Sequence, residues 1–384
     1  MANADFLHTS LSLDLAVNEG SAPRLIARQH APPGAGEALC CVDALSLWST
    51  GRPGGPPAVE ASLTVAAVGR SVGHRLRVGQ RLVALPFDTG RATGVRGLGA
   101  AFLATRVVLD AETLRARGRL VEISAPRETF PHFSAALALS CSETIEAQAQ
   151  IVHVLRSTPD RQREYRAGVQ PGGVMVVAGC SARGLLHAAL AFLRRPAVAI
   201  VVDQDHTRRA AAECLRTLAD EEHVRLEILR PDELPGRLGG SGADDVLVTG
   251  PSGCGIGQLP ALLASGGCLC LCEPESVVPP PPLAVVDARR VTIVAPGVCG
   301  GDLVDVRRAL GLVERGGLDL GPIVSHVGGI AALPEAWEGT RHGVFPGRVI
   351  VYPQVHGPGM LPTQRWGSQA ETELLASGSD ARES

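Results

Sequence analysis

Residues 172–184 read Gly172-Gly173-Val174-Met175-Val176-Val177-Ala178-Gly179-Cys180-Ser181-Ala182-Arg183-Gly184. The run from Val174 to Ala178 is short, apolar and Val-rich, as a strand buried on both faces must be. Gly179 and Gly184 stand where that strand would turn into an apolar, helix-like segment. A second apolar run, 198–202, ends in Asp203, about twenty residues beyond the turn. Strand, glycine turn, helix, strand and acid make the layout of a dinucleotide site. The first glycine permits the tight turn, the helix N-terminus offers N–H groups to a pyrophosphate, and the acid accepts from a ribose hydroxyl. The usual G-x-G-x-x-G has its middle glycine where this chain has Ser181, whose Cβ narrows the approach of backbone to pyrophosphate. Gly179, Ser181, Gly184 and Asp203 are the candidates for holding NAD or NADP. Thr249 and Gly250 join them from a later strand end.

Outward from this stretch, strands and helices alternate. Helix 183–194 leads to strand 198–202, helix 207–219 to strand 225–229, and the run Asp244-Asp245-Val246-Leu247-Val248 to Thr249-Gly250. Helix 258–265, strand 268–272, an exposed proline run at 279–282, strand 291–295 and helix 302–315 follow. Such alternation predicts a doubly wound parallel sheet, an α/β fold. The stretch 250–255, Gly-Pro-Ser-Gly-Cys-Gly, lacks the Lys-Ser/Thr of a phosphate loop and reads as part of the dinucleotide cleft. Upstream the texture differs. Runs 38–43, 62–68, 80–85 and 102–109 are β-rich and split by Gly and Pro clusters, which predicts a barrel-like β domain. Residues 133–156 carry a helical period, residues 1–22 show none, and the polar, small residues from about 361 onward predict a disordered tail.

At 384 residues, two domains are expected. Aromatic content is only 3%, which counts against nucleic-acid recognition by base stacking, and a net charge of −3 gives no pull toward polyanions. Lys is absent from the whole chain, so Schiff-base, P-loop and tyrosine–lysine mechanisms are excluded. Ten cysteines form neither a paired framework nor a C-x-x-C. Cys268, Cys270 and Cys272 alternate as on one side of a strand and read as core. No signal peptide is evident. Charged residues and glycines break up the apolar stretch 173–193, so no membrane span is expected and a cytoplasmic location is.

Several segments resemble the medium-chain dehydrogenase/reductase superfamily. Pro33-Gly34-Ala35-Gly36-Glu37-Ala38-Leu39 with Val42-Asp43 resembles its first strand pair. Val65-Ala66-Ala67-Val68-Gly69 followed by Arg77-Val78-Gly79-Gln80-Arg81-Leu82-Val83 resembles its A-V-G … V-G-D-R-V signature. Within it the chain is most similar to L-sorbose-1-phosphate reductase-like alcohol dehydrogenases. The segments that carry this are Leu139-Ser140-Cys141, Gly172 to Cys180, Ser325-His326-Val327-Gly328-Gly329-Ile330 and Pro346-Gly347-Arg348-Val349-Ile350-Val351-Tyr352. The resemblance covers roughly residues 24–355. It implies a GroES-like catalytic domain at 23–155, a Rossmann domain at 156–320, a return segment at 321–358 and homodimerisation. It leaves 1–22 undefined and 359–384 as the tail. Zinc members of the superfamily hold the metal through a Cys, a His and an acidic or Cys ligand. Here the matching positions read Ser46, the segment Ala58-Val59-Glu60, and Leu137-Ala138, and the four-cysteine structural lobe is missing. No zinc is expected.

Without a Lewis acid, hydrogen-bond donors and a proton relay must stabilise the substrate oxygen. Ser46, Ser49 and Glu60 are the catalytic candidates near the expected nicotinamide. The plainer alternatives are that Ser46 is a vestigial ligand position and that Glu60 is solvated or paired with an Arg. His74 reads as a surface-loop residue, and His326 as packing, capping or substrate contact. Asp203 favours NAD, yet Arg208 and Arg209 could attract a 2′-phosphate, so the cofactor preference stays open. Two functions follow. One is a zinc-independent NAD(P)-dependent oxidoreductase acting on a small carbonyl or alcohol, sugar- or cyclitol-like. The other is a catalytically degenerate member serving as scaffold or partner protein.

Overall fold

The structure, a computed structural model, describes residues 10–16, 22–49, 57–73, 75–84, 104–109, 120–125, 130–157, 163–272, 290–296, 303–357 and 359–380. The chain forms two compact units. The first is Met1–Leu139, Val306–Glu314 and Val324–Ser384; the second is Ser140–Asp305 and Arg315–Ile323. The first boundary between them falls within a helix, Ala138–Ala149.

The first unit opens with a hairpin. Strand β1 (Ser10–Ala16) pairs antiparallel with β2 (Arg24–His30). A strand here departs from the expectation of no regular element before residue 23. The reason is visible in Leu11, Leu13 and Leu15, which alternate with polar residues at strand period. Then come β3 (Ala38–Trp48), β4 (Ala58–Val68), β5 (Arg81–Ala84), β6 (Arg106–Leu109) and β7 (Leu120–Ile123). Helix α1 (His132–Ala136) and helix α2 (Ala138–Ala149) follow.

The predicted helix over 133–156 stops short. From Val152 the chain runs as β8 (Val152–Ser157), which pairs antiparallel with β9 (Arg163–Ala167). A tertiary bond holds this hairpin in place: His153 Nε2 lies 2.8 Å from Asp245 Oδ1. The second unit continues with β10 (Val174–Ala178), α3 (Ala182–Phe192), β11 (Val198–Val202), α4 (His206–Ala212), α5 (Arg216–Glu221), β12 (Arg225–Leu229), α6 (Leu234–Leu238), β13 (Ala243–Val248), β14 (Leu263–Leu271) and β15 (Thr292–Val294). Among the described residues its sheet is parallel, in the order β12-β11-β10-β13-β14-β15. The chain order reverses between β10 and β13, the switch point where open α/β sheets take their ligands. The helix expected at 258–265 is instead a 3₁₀ stretch, Ile256–Leu262, with Pro260 inside it, and strand begins at Leu263. Cys268 and Cys270 lie on β14, Cys272 just beyond it, and all three are buried.

The chain then crosses back through α7 (Leu303–Glu314) into β16 (Val324–Gly329), α8 (Leu333–Arg341), β17 (Arg348–Tyr352), β18 (Leu361–Pro362) and α9 (Ser368–Asp380). The tail predicted to be disordered is therefore folded as far as Asp380. Glu371 of α9 is buried and accepts from the backbone N–H groups of His132 and Phe133 at 2.8 and 3.0 Å and from the Tyr352 hydroxyl at 2.9 Å. Trp366 Nε1 donates to that same hydroxyl at 2.7 Å. Small and polar composition concealed a segment anchored by one carboxylate and one indole.

β18, β16, β17, β3, β4, β5 and β7 form one mixed sheet, with β6 paired to β3. Its central strands have two unlike faces, because side chains alternate along a strand. Leu45, Leu47, Val59, Ala61, Leu63, Val349 and Val351 share one apolar core with Leu333, Ala336 and Trp337 around α8. The intervening residues Ser46, Trp48, Glu60, Ser62, Arg348 and Tyr352 are also buried, and this second face is polar. Among the described residues no helix is long and apolar enough to cross a membrane.

Candidate functional site

In the second unit the residues expected to hold a dinucleotide converge at the C-terminal end of β10. Gly179 has φ +112°, a conformation that L side chains avoid. A Cβ there would also stand 3.1 Å from Thr249 Oγ1 and from the Gly250 nitrogen. Gly184, in the first turn of α3, faces the strand-to-helix turn so closely that a Cβ would lie 1.8 Å from the Gly179 carbonyl oxygen. Both glycines are therefore needed for strand and helix to meet. Thr249 fastens the neighbouring strand to the turn by donating its hydroxyl to the Gly179 carbonyl at 2.9 Å.

Ser181, the departure from the glycine pattern, is the N-cap of α3, and its Oγ accepts from the Gly184 N–H at 3.4 Å. A side-chain oxygen at the N-cap satisfies one of the amides that a helix start leaves over. The hydroxyl thus engages, through a long bond, an amide that a phosphate would otherwise take. Cys180, also in the turn, is buried. Burial first, and the Asp203 carboxylate second, push its thiol up, so it stays protonated and is no nucleophile.

Asp203 ends β11 as expected but is wholly buried. Its Oδ2 accepts from the Cys180 N–H at 2.8 Å and from Arg208 Nε at 2.9 Å. Its Oδ1 accepts from Arg208 Nη2 at 2.8 Å and from the Asp205 N–H at 2.9 Å. The bidentate bond to Asp203 raises Arg208 above its ordinary value. Where the sequence led to the expectation of a ribose hydroxyl on Asp203, its carboxylate holds the turn and Arg208. The loops after β11 and β13 touch as well, with the Gln204 N–H donating to the Ser252 carbonyl at 2.8 Å.

In the first unit, Ser46 and Glu60 are cross-strand partners on the polar face of β3 and β4. Glu60 Oε1 accepts from Trp48 Nε1 at 2.9 Å and from Arg348 Nη1 at 3.0 Å. Arg348 also stands over the Trp48 ring, 4.6 Å from its centroid. Glu60 thus has the Arg partner named among the alternatives. The hydroxyls of Ser46 and Ser62 are buried without a hydrogen-bond partner among the described residues. Ser49 is half-buried just past the end of β3. His326 on β16 is half-buried, 3.1 Å from the Ser325 hydroxyl and 4.5 Å from the Phe345 ring, and burial lowers its basicity. His74 lies outside the described residues.

Sequence reasoning missed Arg348, Tyr352 and Glu371. A charge opening the apolar strand Arg348-Val349-Ile350-Val351-Tyr352 was the one available signal for the first, since a buried guanidinium demands an acidic partner.

No protein-family model matches the chain. Over 217 residues it is 26% identical to the uncharacterized protein YggP of Escherichia coli (strain K12), covering 53% of this chain and 51% of that one. The chain thus spans about half the length of the curated relative it matches. Solved structures match along nearly the whole chain. A short chain alcohol dehydrogenase from E. coli CFT073 complexed with NADH is 14% identical, at 89% of this chain and 99% of that one, with a TM-score of 0.63. Benzyl alcohol dehydrogenase from Acinetobacter calcoaceticus is 17% identical over 89% and 99%, with a TM-score of 0.61. An alcohol dehydrogenase zinc-binding domain protein from Burkholderia ambifaria is 17% identical over 90% and 99%, also at 0.61. At these identities the likeness is one of fold, and the fold is that of the alcohol dehydrogenases: a β-rich unit with a mixed sheet joined to a doubly wound parallel sheet.

Proposed function

We propose that the chain is an NAD(P)-dependent oxidoreductase that acts without zinc on a small carbonyl or alcohol, sugar- or cyclitol-like as in the L-sorbose-1-phosphate reductases it resembles. The glycine turn carries this reading. Gly179, with its positive φ, and Gly184, pressed on its carbonyl, bring the end of β10 and the first turn of α3 together with no Cβ at either position. That is the cradle a diphosphate needs, and the residues present fit a dinucleotide.

Zinc requires convergent N, S or O donors with one open position. At the positions matching the family's ligands this chain offers Ser46, a poor ligand, and Glu60, which already faces the Arg348 guanidinium at 3.0 Å. A second cation beside that guanidinium would meet like charge, so these residues do not fit zinc.

The bound nicotinamide would supply hydride transfer. The chain's own part is to bind, orient and donate. Amides at the start of α3 take the diphosphate. The Ser46 hydroxyl, with Ser49 nearby in the chain, donates to the substrate oxygen. Such contact gives Ser46 the partner that it lacks among the described residues, where an unmade buried hydrogen bond costs about 1–3 kcal/mol. Glu60 acts by holding Arg348 and Trp48.

A second reading, a catalytically silent member acting as a partner protein, draws on the full burial of Ser46 and Glu60. Titration with NADH and NADPH, followed by the nucleotide's own fluorescence, separates the two. The enzyme binds at least one of them below millimolar concentration, and no change with either at millimolar concentration leaves only the silent protein. Zinc content measured on protein purified without chelator is expected to be far below one ion per chain. One tightly held ion per chain contradicts zinc independence.

A further inference from the structure

We propose that the turn after β11 reads a 2′-phosphorylated nucleotide, so that the cofactor is NADP(H), with Asp203 acting as the buttress of Arg208. This rests on the dinucleotide function proposed above. A carboxylate offers two oxygens and about four lone-pair directions. All are used at Asp203: two by backbone N–H groups and two by Arg208. A ribose hydroxyl could enter only by breaking a bidentate, charge-assisted bond inside a fully buried corner.

What the corner presents instead are the donors of two guanidinium groups. Arg208 is fixed by Asp203 on one edge and donates from Nη2 to the Pro251 carbonyl at 3.2 Å. Its Nη1 is 4.0 Å from Asp205 Oδ2, beyond hydrogen-bond reach, and the side chain is 29% exposed, so an anion can reach it. Arg209, next to it, donates from Nη1 to the carbonyls of Asp203 and Gln204 at 2.7 and 2.8 Å, which leaves Nε and Nη2 for a second contact. Asp205 beside Arg208, and Asp232 within electrostatic reach of Arg209, are opposing charges in the corner. The Asp205 Oδ1 accepts from the Thr207 and Arg208 N–H groups at the start of α4. Two anchored guanidinium groups with donors to spare form a phosphate-binding pair, and the preferred ligand bears a phosphate on the adenosine ribose.

The test uses the full-length protein and four probes: NADPH, NADH, 2′,5′-ADP and 5′-AMP, titrated by calorimetry at low and moderate salt. The expected result is that each 2′-phosphorylated probe binds about tenfold or more tighter than its partner, with a preference that shrinks as salt rises. Asp203→Asn should weaken NADPH binding several-fold, because Arg208 loses its clamp. Were Asp203 a ribose reader that repels phosphate, the same change would strengthen NADPH. If Asp203→Asn fails to fold, Arg209→Ala serves in its place and should lower NADPH affinity about threefold or more while leaving NADH unchanged. Equal or tighter binding of the unphosphorylated probes, or a gain of NADPH affinity in Asp203→Asn, overturns the assignment and leaves the dinucleotide function standing. Binding of none of the four at millimolar concentration overturns both.

Discussion

The glycine turn of the second unit and the polar sheet face of the first are built on opposite principles. The turn depends on side chains being absent: at Gly179 and Gly184 any Cβ would meet backbone or the Thr249 hydroxyl. The sheet face depends on side chains that need one another, Glu60 with Arg348 and Trp48, and Glu371 with Tyr352 and the start of α1. A site made of backbone tolerates change at most neighbouring positions and none at its glycines. A site made of buried charges tolerates loss of neither partner singly, yet tolerates loss of both.

The largest effect should come from breaking the charged pair. Arg348→Ala removes the guanidinium that lies 3.0 Å from the buried Glu60 carboxylate and should destabilise the first unit by about 3–5 kcal/mol. Trp48, Trp337 and Trp366 are the chain's three tryptophans and all belong to that unit, so the denaturant midpoint followed by tryptophan fluorescence reads it directly. The double change Glu60→Leu with Arg348→Met should recover most of the loss. A double variant as unstable as Arg348→Ala would deny that the pair acts as a unit.

Next is Gly184→Ala, whose added methyl would fall 1.8 Å from the Gly179 carbonyl. It should destabilise the second unit by about 1–3 kcal/mol and abolish dinucleotide binding, leaving the fluorescence midpoint of the first unit nearly unchanged. Retained binding would mean that the turn is not the phosphate cradle.

A third difference is in pH. The bond to Asp245 raises His153 above its ordinary value of 6.5, with burial opposing it. A group whose basicity is raised on folding stabilises fully below its unfolded value and loses that contribution as pH climbs through the folded one. The second unit should therefore weaken as pH rises above about 6.5, and His153→Gln should flatten that slope in far-ultraviolet dichroism melts. A slope of the opposite sign would refute the pairing.

The smallest changes are at the two serines. Ser181→Gly trades a helix cap for a cost of only a few tenths of a kcal/mol and frees the Gly184 N–H, so it should tighten NADPH a few-fold. Ser46→Ala removes a hydroxyl that has no hydrogen-bond partner among the described residues, so stability should hold or rise by up to about 1 kcal/mol while turnover falls. If turnover is unchanged, Ser46 is the vestigial ligand position.

The same contrast decides what the sequence could disclose. The second unit was legible because its signals are local: Val-rich runs of strand length, glycines at a turn, and an acid about twenty residues on. The parallel, doubly wound character of the sheet followed from the alternation of elements, whereas the strand order and its switch point are seen only in the structure. The role of Asp203 was not legible, since its saturation by Arg208, Cys180 and Asp205 depends on side-chain geometry that spacing does not encode. In the first unit the β-rich character was readable and the partners were not. Arg348 and Glu60 are 288 positions apart, and no local pattern joins them. The same distance hid the tail, because Glu371 finds its partners at His132 and Phe133 across more than two hundred residues. Hairpin β8–β9 escaped notice because a helical period ran into it and its anchor, Asp245, lies far along the chain.

The most direct test of the central claim is hydrogen exchange of the backbone amides with and without saturating NADPH. The account predicts new protection in the segment 181–185, where α3 begins, with a further patch around 205–209. Protection that leaves 181–185 untouched while NADPH is demonstrably bound would place the diphosphate elsewhere and contradict the cradle.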